Sequence, residues 1–357
     1  MQAKFILPAD PRWQGFLETV AHDVYHLPSY LSACAGHEGG QALAFLAEVD
    51  GASMLLPMVL RTLPESIDPA GKWRDATAPY GYACPLLGGE PNPAQVVRLL
   101  AEFQDIGQRL GIVSAFFRFH PLLPLPREPF LEFGTLVDHG ETVHFDLSLP
   151  PAELEGHMRA GFRHDVRRLE RNGFRVVIDA WERLDEFVAI YEQTMRRHAA
   201  SSYYYFPPRY YQGLRDQLGD HVHLALVLAP GGEELACGSL IFEEAGILEY
   251  HLSGSDERFH QEGPTKLLLH YLRDWGKARG NRWFNLGGGV GAQADSLFNF
   301  KKGFSRLRGS YTSFRMIVDP AAYGELADWK HGSSDRKLLE RRRYFPGYRR
   351  PQEREAS

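Results

Sequence analysis

Two segments 169 residues apart carry the same helix-and-strand signature. In the first, Val96, Leu99, Leu100, Phe103, Ile106 and Leu110 recur at helical spacing behind Asn92-Pro93 and ahead of Gly111, and the apolar run IVSAFFRF follows. In the second, Leu268, Tyr271, Leu272 and Trp275 recur behind Gly263-Pro264 and ahead of Gly280, and RWFNL follows. At that offset Leu99 falls on Leu268, Leu100 on Leu269, Asp105 on Asp274, Gly107 on Gly276 and Gly111 on Gly280, five identities in thirteen positions. A pair of apolar runs around a turn precedes each helix, at Asp50-Gly51 and at Gly231-Gly232. The simplest chain with this pattern is a duplicated α/β unit, each copy a hairpin, a helix and a further strand.

A length of 357 residues suits two cores better than one. The join is expected near residue 150, where Pro150-Pro151 close the run TVHFDLSL and open a helix. That cut gives domains 1–150 and 151–327 and leaves 328–357 as a basic tail. From Lys330 onward the chain has nine Lys and Arg against four Asp and Glu, whereas the whole chain is at −5. The tail thus reads as a separate electrostatic object, suited to RNA or to anionic headgroups at the inner membrane face, or a plain disordered end.

Several function classes are excluded by what the residues lack. No apolar run approaches a membrane span or a signal-peptide core, so a cytoplasmic protein is expected. Cys34, Cys84 and Cys237 are isolated, as befits reduced, packed thiols. Fifteen histidines show no HExxH or comparable ligand spacing, so no metal is expected, and no GxSxG elbow supports acyl-enzyme chemistry.

After Pro151, Arg159, Arg163, Arg167 and Arg171 are each four apart, one residue beyond the apolar series Leu154, Met158, Phe162 and Val166. One residue is about 100° of helix, so the arginines flank the buried stripe. With Arg168 they suit a phosphate-bearing partner; they equally suit a solvated face laced by ion pairs with Asp165 and Glu170. Farther on, Tyr203, Tyr204, Tyr205 and Phe206 lie on a connection that Pro207-Pro208 breaks. Such a run either lines a groove or plugs a core beneath a loop.

The stretch LGGGVGAQADSLFNFKKGFS, from Leu286 to Ser305, satisfies GxGxxA through Gly287, Gly289 and Ala292. A dinucleotide fold would need a further crossover unit that the remaining chain does not offer, so the run is not a nucleotide loop. The segment after it reads as a short helix, with Asp295 as N-cap, Leu297, Phe300 and Phe304 as its apolar face, and Lys301 and Lys302 near its end.

The motifs GFRHDVRRLERNGFRV, YEQTMRRHAASSYYYFPPRYYQGL, LEYHLSGSD and FNLGGGVGAQADSLFNFKKGFS resemble, in order, those of the Fem family of peptidoglycan-bridge aminoacyltransferases and related acyltransferases of the GNAT superfamily. The resemblance spans about residues 155 to 325. It implies an α/β fold of tandem GNAT-like domains, each a mixed, mostly antiparallel sheet flanked by helices. It also implies transfer of an acyl or aminoacyl group from an activated donor to an amine, with the donor a co-substrate and no tightly bound cofactor. By that resemblance Lys301, with Phe300 beside it, matches the lysine of the family's FKxxF motif, and Arg163 and Arg167 match its basic helix.

A positioned cation beside an ester carbonyl would stabilise the oxyanion formed when an amine attacks. Glu249 and His251, on one face of LEYHL, are candidate bases. Candidate substrate-binding residues are Arg163, Arg167, Arg168, Tyr204, Tyr205, Tyr250, Ser253, Gly287, Gly288 and Gly289. HQEGPTKLLL, where acyl-CoA enzymes usually carry an R/Q-x-x-G-x-G/A loop, has Pro264 in place of an amide donor. Together with the tail sequence RRRYFPGYRR this favours aminoacyl-tRNA over a coenzyme A thioester as donor. The acceptor expected is an amine on a cell-envelope precursor, which can be phosphate-bearing, or on a small metabolite. Acyl-CoA-dependent N-acetyl transfer and a non-catalytic RNA- or protein-binding module are the alternatives.

Overall fold

The computed structural model describes residues 2–331 and 344–350. The first half runs β1 (Gln2–Ile6), α1 (Pro11–Leu17), α2 (Pro28–Glu38), β2 (Gln41–Val49), β3 (Ala52–Thr62), β4 (Arg74–Thr77), β5 (Leu86–Gly88), α3 (Pro93–Arg109), β6 (Ile112–Phe119) and α4 (Glu128–Leu131). It continues through β7 (Gly134–Asp146), α5 (Pro151–His157), α6 (Ala160–Arg171), β8 (Arg175–Ile178), α7 (Leu184–Arg197), α8 (Pro208–Leu218), β9 (Val222–Leu228), β10 (Leu235–Glu244) and β11 (Ile247–Ser255). Last come α9 (Thr265–Ala278), β12 (Trp283–Gly287), α10 (Ser296–Lys301), β13 (Leu307–Ile317) and α11 (Pro320–His331).

Two compact units divide this chain, one of residues 1–21, 25–138 and 312–357, the other of residues 22–24 and 139–311. The strand order in the first is β1-β2-β3-β4-β6-β13, with β5 on β3; in the second it is β8-β9-β10-β11-β12-β7. Position by position the pairings agree. Both sheets are antiparallel except at one place, β4 beside β6 and β11 beside β12, where a helix intervenes and the strands are parallel. Each intervening helix stops at a left-handed glycine, Gly111 (φ 75°) after α3 and Gly280 (φ 86°) after α9. This is the fold class expected of the chain, mixed α/β with mostly antiparallel sheets flanked by helices.

The sixth strand of each unit is out of sequence. β7 follows the first unit's β6, yet its residues Val143 to Asp146 pair with β12; β13 follows α10, yet Thr312 to Ile317 pair with β6. A cut at residue 150 therefore differs from the division observed, which falls within β7. Proline pairs mark where an element ends, but a strand belongs to the sheet whose hydrogen bonds it completes, and local sequence does not encode that choice.

In the second unit, Val143 and Phe145 of β7, Leu248 of β11 and Phe284 and Leu286 of β12 pack with Leu268, Leu269 and Leu272 of α9 and with Leu154, Met158, Val166 and Leu169 of α5 and α6. Of the stripe that flanks the arginines, Leu154, Met158 and Val166 are buried and Phe162 is half-buried against the same core. The helix itself is broken, however: Met158 and Arg159 are extended (ψ 138° and 140°), which separates α5 from α6. The break is held by Arg159 N–H donating to Gly303 O at 2.8 Å and by Arg163, whose guanidinium covers the carbonyls of Glu155 and Met158.

The tail, read above as a separate object from residue 328, is different where it is described. Tyr348 is fully buried, its hydroxyl 2.7 Å from Ser114 Oγ. Arg349 bonds the fully buried carboxylate of Asp75, which Arg61 also reaches at 2.8 Å. A buried carboxylate requires its cations, so Arg349 is committed to the first unit. Residues 332–343 and 351–357, with Arg341, Arg342 and Arg343 among them, lie outside the described residues.

Replacing Asp75 with Ala leaves two guanidinium groups facing an empty site, and the unfolding free energy measured in urea is expected to fall by about 3–5 kcal/mol. A second network titrates. Burial of His223, which alone would lower its pKa, is outweighed by hydrogen bonds to Asp179 at 2.9 Å and Glu243 at 3.1 Å, and the imidazolium is held up to about 9. The folded pKa exceeds the unfolded value near 6.5. This stabilisation is therefore complete below pH 6.5 and is lost as the pH rises through 9. Urea unfolding of His223→Gln across that window should show a shallower alkaline loss than the parent protein.

Candidate active site

The parallel ladder between β11 and β12 is short. It pairs Ile247 with Trp283, Leu248 with Phe284 and Glu249 with Asn285, and ends there, although β11 continues to Ser255 and β12 to Gly287. Irregularities on both flanks fall at this level. On one side the register of β10 with β11 shifts so that Leu240 opposes Leu252 but Ile241 opposes Tyr250, which leaves His251 as a bulged residue. On the other, the register of β12 with β7 shifts between Asn285 and Gly287. Where the ladder ends, two fully buried polar side chains meet: Asn285 Nδ2 lies 3.2 and 3.0 Å from the two oxygens of Glu249. The amide oxygen of Asn285 accepts from Gly287 N–H at 3.1 Å and so fixes the start of the glycine run.

α10 brings the lysine to this point. Asp295 caps it, accepting from Phe298 N–H at 2.8 Å, and its other oxygen accepts from Val290 N–H at 2.9 Å, which folds the glycine run back on the helix. Phe298 and Phe304 are buried, while Leu297, expected on the apolar face, is exposed; the face that packs is turned by one residue because Lys301 itself points inward. Phe300 joins α10 to α6 through Phe162, ring centroids 5.6 Å apart, and Phe304 lies 5.0 Å from the same ring.

Lys301 is only 7% exposed. Its ammonium donates to Gly288 O at 2.7 Å and stands 5.8 Å from the ring centre of Tyr250. Burial pulls its pKa down to about 8, with Asp295 and Glu249 acting in the opposite sense. Solvated lysines at the end of a helix would feel no such effect. The Tyr250 hydroxyl donates to Ser253 Oγ, and burial raises the phenol's pKa. Lys301, Glu249, Tyr250, Ser253 and the carbonyl of Gly288 are thus assembled around the place where two parallel strands stop pairing, with Gly287 and Gly289 on either side of that carbonyl. The arrangement provides a desolvated cation, a buried carboxylate and strand edges free of ladder bonds.

Other candidates stand differently. His251 shares Glu249's face: Phe242 is paired with Glu249 and its ring lies 4.1 Å from the imidazole. Burial lowers the pKa of His251 to about 3, so it is neutral at ordinary pH and too weak a base to draw a proton from an ammonium; its Nε2 lies 3.2 Å from Tyr210 Oη. Tyr204 and Tyr205 are half-buried beside an aromatic cluster of Tyr191, Phe206, Tyr210 and Tyr211, in which Phe206 and Tyr210 stack at 4.2 Å. Arg163 is occupied at the helix break, Arg168 donates to Glu262 O at 3.0 Å, and Arg167 is exposed.

Asn285 was not among the residues read from the sequence. The signal was present in RWFNL, where one amide interrupts an apolar strand just before the glycines. A hydrogen-bonding residue at the end of a buried strand is where a ladder hands over to something else.

Residues 156–302 match the family model described as an acetyltransferase (GNAT) domain, and the chain carries a GNAT-type acyltransferase domain in that segment. No curated protein matches the chain by sequence. Among solved structures it is similar to FemX at 14% identity and a TM-score of 0.69, covering 90% of this chain and 99% of that one. It is similar to L-PGS from Bacillus licheniformis at 19% identity and a TM-score of 0.54, covering 86% and 92%. A tandem GNAT protein from the clavulanic acid biosynthesis pathway aligns at 11% identity and a TM-score of 0.50, covering 89% and 99%. These likenesses show the fold. Among the described residues no helix is long and apolar enough to cross a membrane.

Gly303 follows the lysine pair, and a methyl group placed on it would lie 2.2 Å from the ring of Phe162. Gly303→Ala should therefore push α10 away from α6 and lower stability by about 1–3 kcal/mol, an overpacking cost readable from urea unfolding.

Proposed function

We propose that the protein is a Fem-like N-acyl- or aminoacyltransferase that joins an activated donor, aminoacyl-tRNA in preference to acyl-CoA, to an amine on a cell-envelope precursor or small metabolite. The observation that carries this reading is Lys301, a cation desolvated and tethered to Gly288 O at 2.7 Å where the β11–β12 ladder ends. Desolvation raises the worth of a charge that faces a developing oxyanion.

In the reaction the acceptor nitrogen attacks the donor's ester carbonyl, and the carbonyl oxygen takes up negative charge beside Lys301. Collapse forms the C–N amide bond, breaks the C–O ester bond and releases the ribose hydroxyl. One proton passes from the attacking nitrogen to the leaving oxygen, with Glu249 the candidate to relay it, since burial leaves His251 too weak a base. Loss of transfer on removing the carboxylate would accord with that role.

The preference for aminoacyl-tRNA is supported by the start of α9. Pro264 has no amide hydrogen, and the amides of Glu262 and Gly263 donate to Phe259 O while that of Lys266 donates to Gly263 O. A loop that has spent these donors internally has fewer left for a pyrophosphate. The tail no longer contributes to this preference where it is described, since Tyr348 and Arg349 are engaged in the first unit.

With purified protein, charged tRNA or coenzyme A thioesters and candidate amines, product mass is expected to report an amide. Lys301→Ala should lower kcat/KM by about 100- to 1,000-fold; unchanged transfer would remove the lysine from the mechanism. The cationic form of Lys301 declines as pH rises through about 8. The rate ratio of the parent protein to Lys301→Arg should accordingly fall above pH 8, and a ratio that rises there would identify the neutral amine as the working form.

A further inference from the structure

Several buried or half-buried arginines have carboxylate partners, among them Arg61 with Asp75, Arg273 with Glu155 and Asp274, and Arg183 with Glu186. Another group has none. Arg159, Arg306 and Arg308 meet where the α5–α6 break docks on the segment after α10, and none has an ion-pair partner among the described residues. The docking is direct: Arg159 N–H donates to Gly303 O at 2.8 Å, and Arg306 Nη2 donates back to Gly156 O at 3.3 Å. Arg308 is half-buried and bonds only carbonyls, Ser305 O at 2.9 Å and Leu307 O at 2.7 Å.

We propose that this cluster is a binding site for a phosphate or diphosphate group, held by Arg159, Arg306 and Arg308. Each guanidinium has five N–H donors in a planar fork that matches phosphate oxygens, and the carbonyl contacts use only one or two of them. Folding that gathers like charges without a counter-charge costs free energy, and a bound dianion offsets that cost.

Three further features agree. α6, twelve residues long, begins here with Arg159 at its N-cap and no side-chain cap bond; Phe162 N–H turns back to Arg159 O, which leaves the amides of Ala160 and Gly161 and the positive end of the dipole available. His144 is 8% exposed, its Nδ1 has no hydrogen-bond partner, and besides burial the charge of Arg308 lowers its pKa while Asp146 opposes. Burial and the charge of Arg159 lower the pKa of Arg308, and Glu141, the one carboxylate that acts against them, is not within ion-pair distance.

Gly303, which anchors Arg159, lies two residues beyond Lys301. That the phosphate belongs to the transfer substrate rests on the function proposed above; the binding itself does not.

The test is direct binding of inorganic pyrophosphate at constant ionic strength, measured by calorimetry and by thermal stabilisation, needing no transfer activity. Arg159→Gln/Arg306→Gln changes two exposed side chains and is expected to weaken pyrophosphate at least tenfold, whereas Arg171→Gln/Arg175→Gln, the same loss of two charges around the far end of α6, leaves it unaltered. Equal weakening by both variants, or pyrophosphate binding no better than chloride, overturns the site. Competition by a nucleoside diphosphate, or retention on phosphatidylglycerol vesicles that the double variant loses, supports it and identifies the source of the phosphate. A protein that transfers acyl groups but ignores pyrophosphate would sink this site alone, and one that binds pyrophosphate without transferring would sink the proposed function alone.

Discussion

Everything at the candidate site depends on a parallel ladder that stops. β11 and β12 share only the pairs from Ile247–Trp283 to Glu249–Asn285, because β11 is bulged at His251 and β12 shifts its register against β7. A regular ladder would consume the backbone groups beyond Glu249 and leave no room for a side chain between the strands. With pairing ended, Asn285 can turn its amide to both Glu249 and Gly287, and Lys301 can reach Gly288 O. The irregularities are thus the structural source of the chemistry, as is common for bulges near functional sites.

The glycine run serves this geometry. Its amides go to Asn285 and Asp295, and one of its carbonyls goes to the lysine. In a phosphate loop the amides would point outward to an anion. Here the run is a connector that ties the end of β12 to the cap of α10, and the anion site proposed for this unit is placed on other residues.

The duplicated unit was legible because the two helices share spacing, caps and terminating glycines, which are local properties. The same holds for the Asp295 cap and for the buried stripe Leu154, Met158 and Val166. The boundary was not legible, since β7 and β13 complete sheets other than those their sequence order suggests. Nor was the break at Met158–Arg159, whose apolar periodicity runs on unperturbed while distant Gly303 takes the amide of Arg159. Arginine spacing alone could not tell that Arg163 turns back onto the carbonyls of Glu155 and Met158.

By itself the sequence determined the element types, the repeat, the kinship of residues 156–302 and the presence of a lysine after a glycine run, because each is written in periodicity or in contiguous motifs. Only the tertiary structure decided that Lys301 is buried and its pKa drawn to about 8, that Glu249 is joined to Asn285, and that the basic tail surrenders Arg349 to Asp75. Desolvation and charge pairing depend on what lies within a few ångströms in space, and residues 36 or 274 positions apart meet only when the sheets have formed.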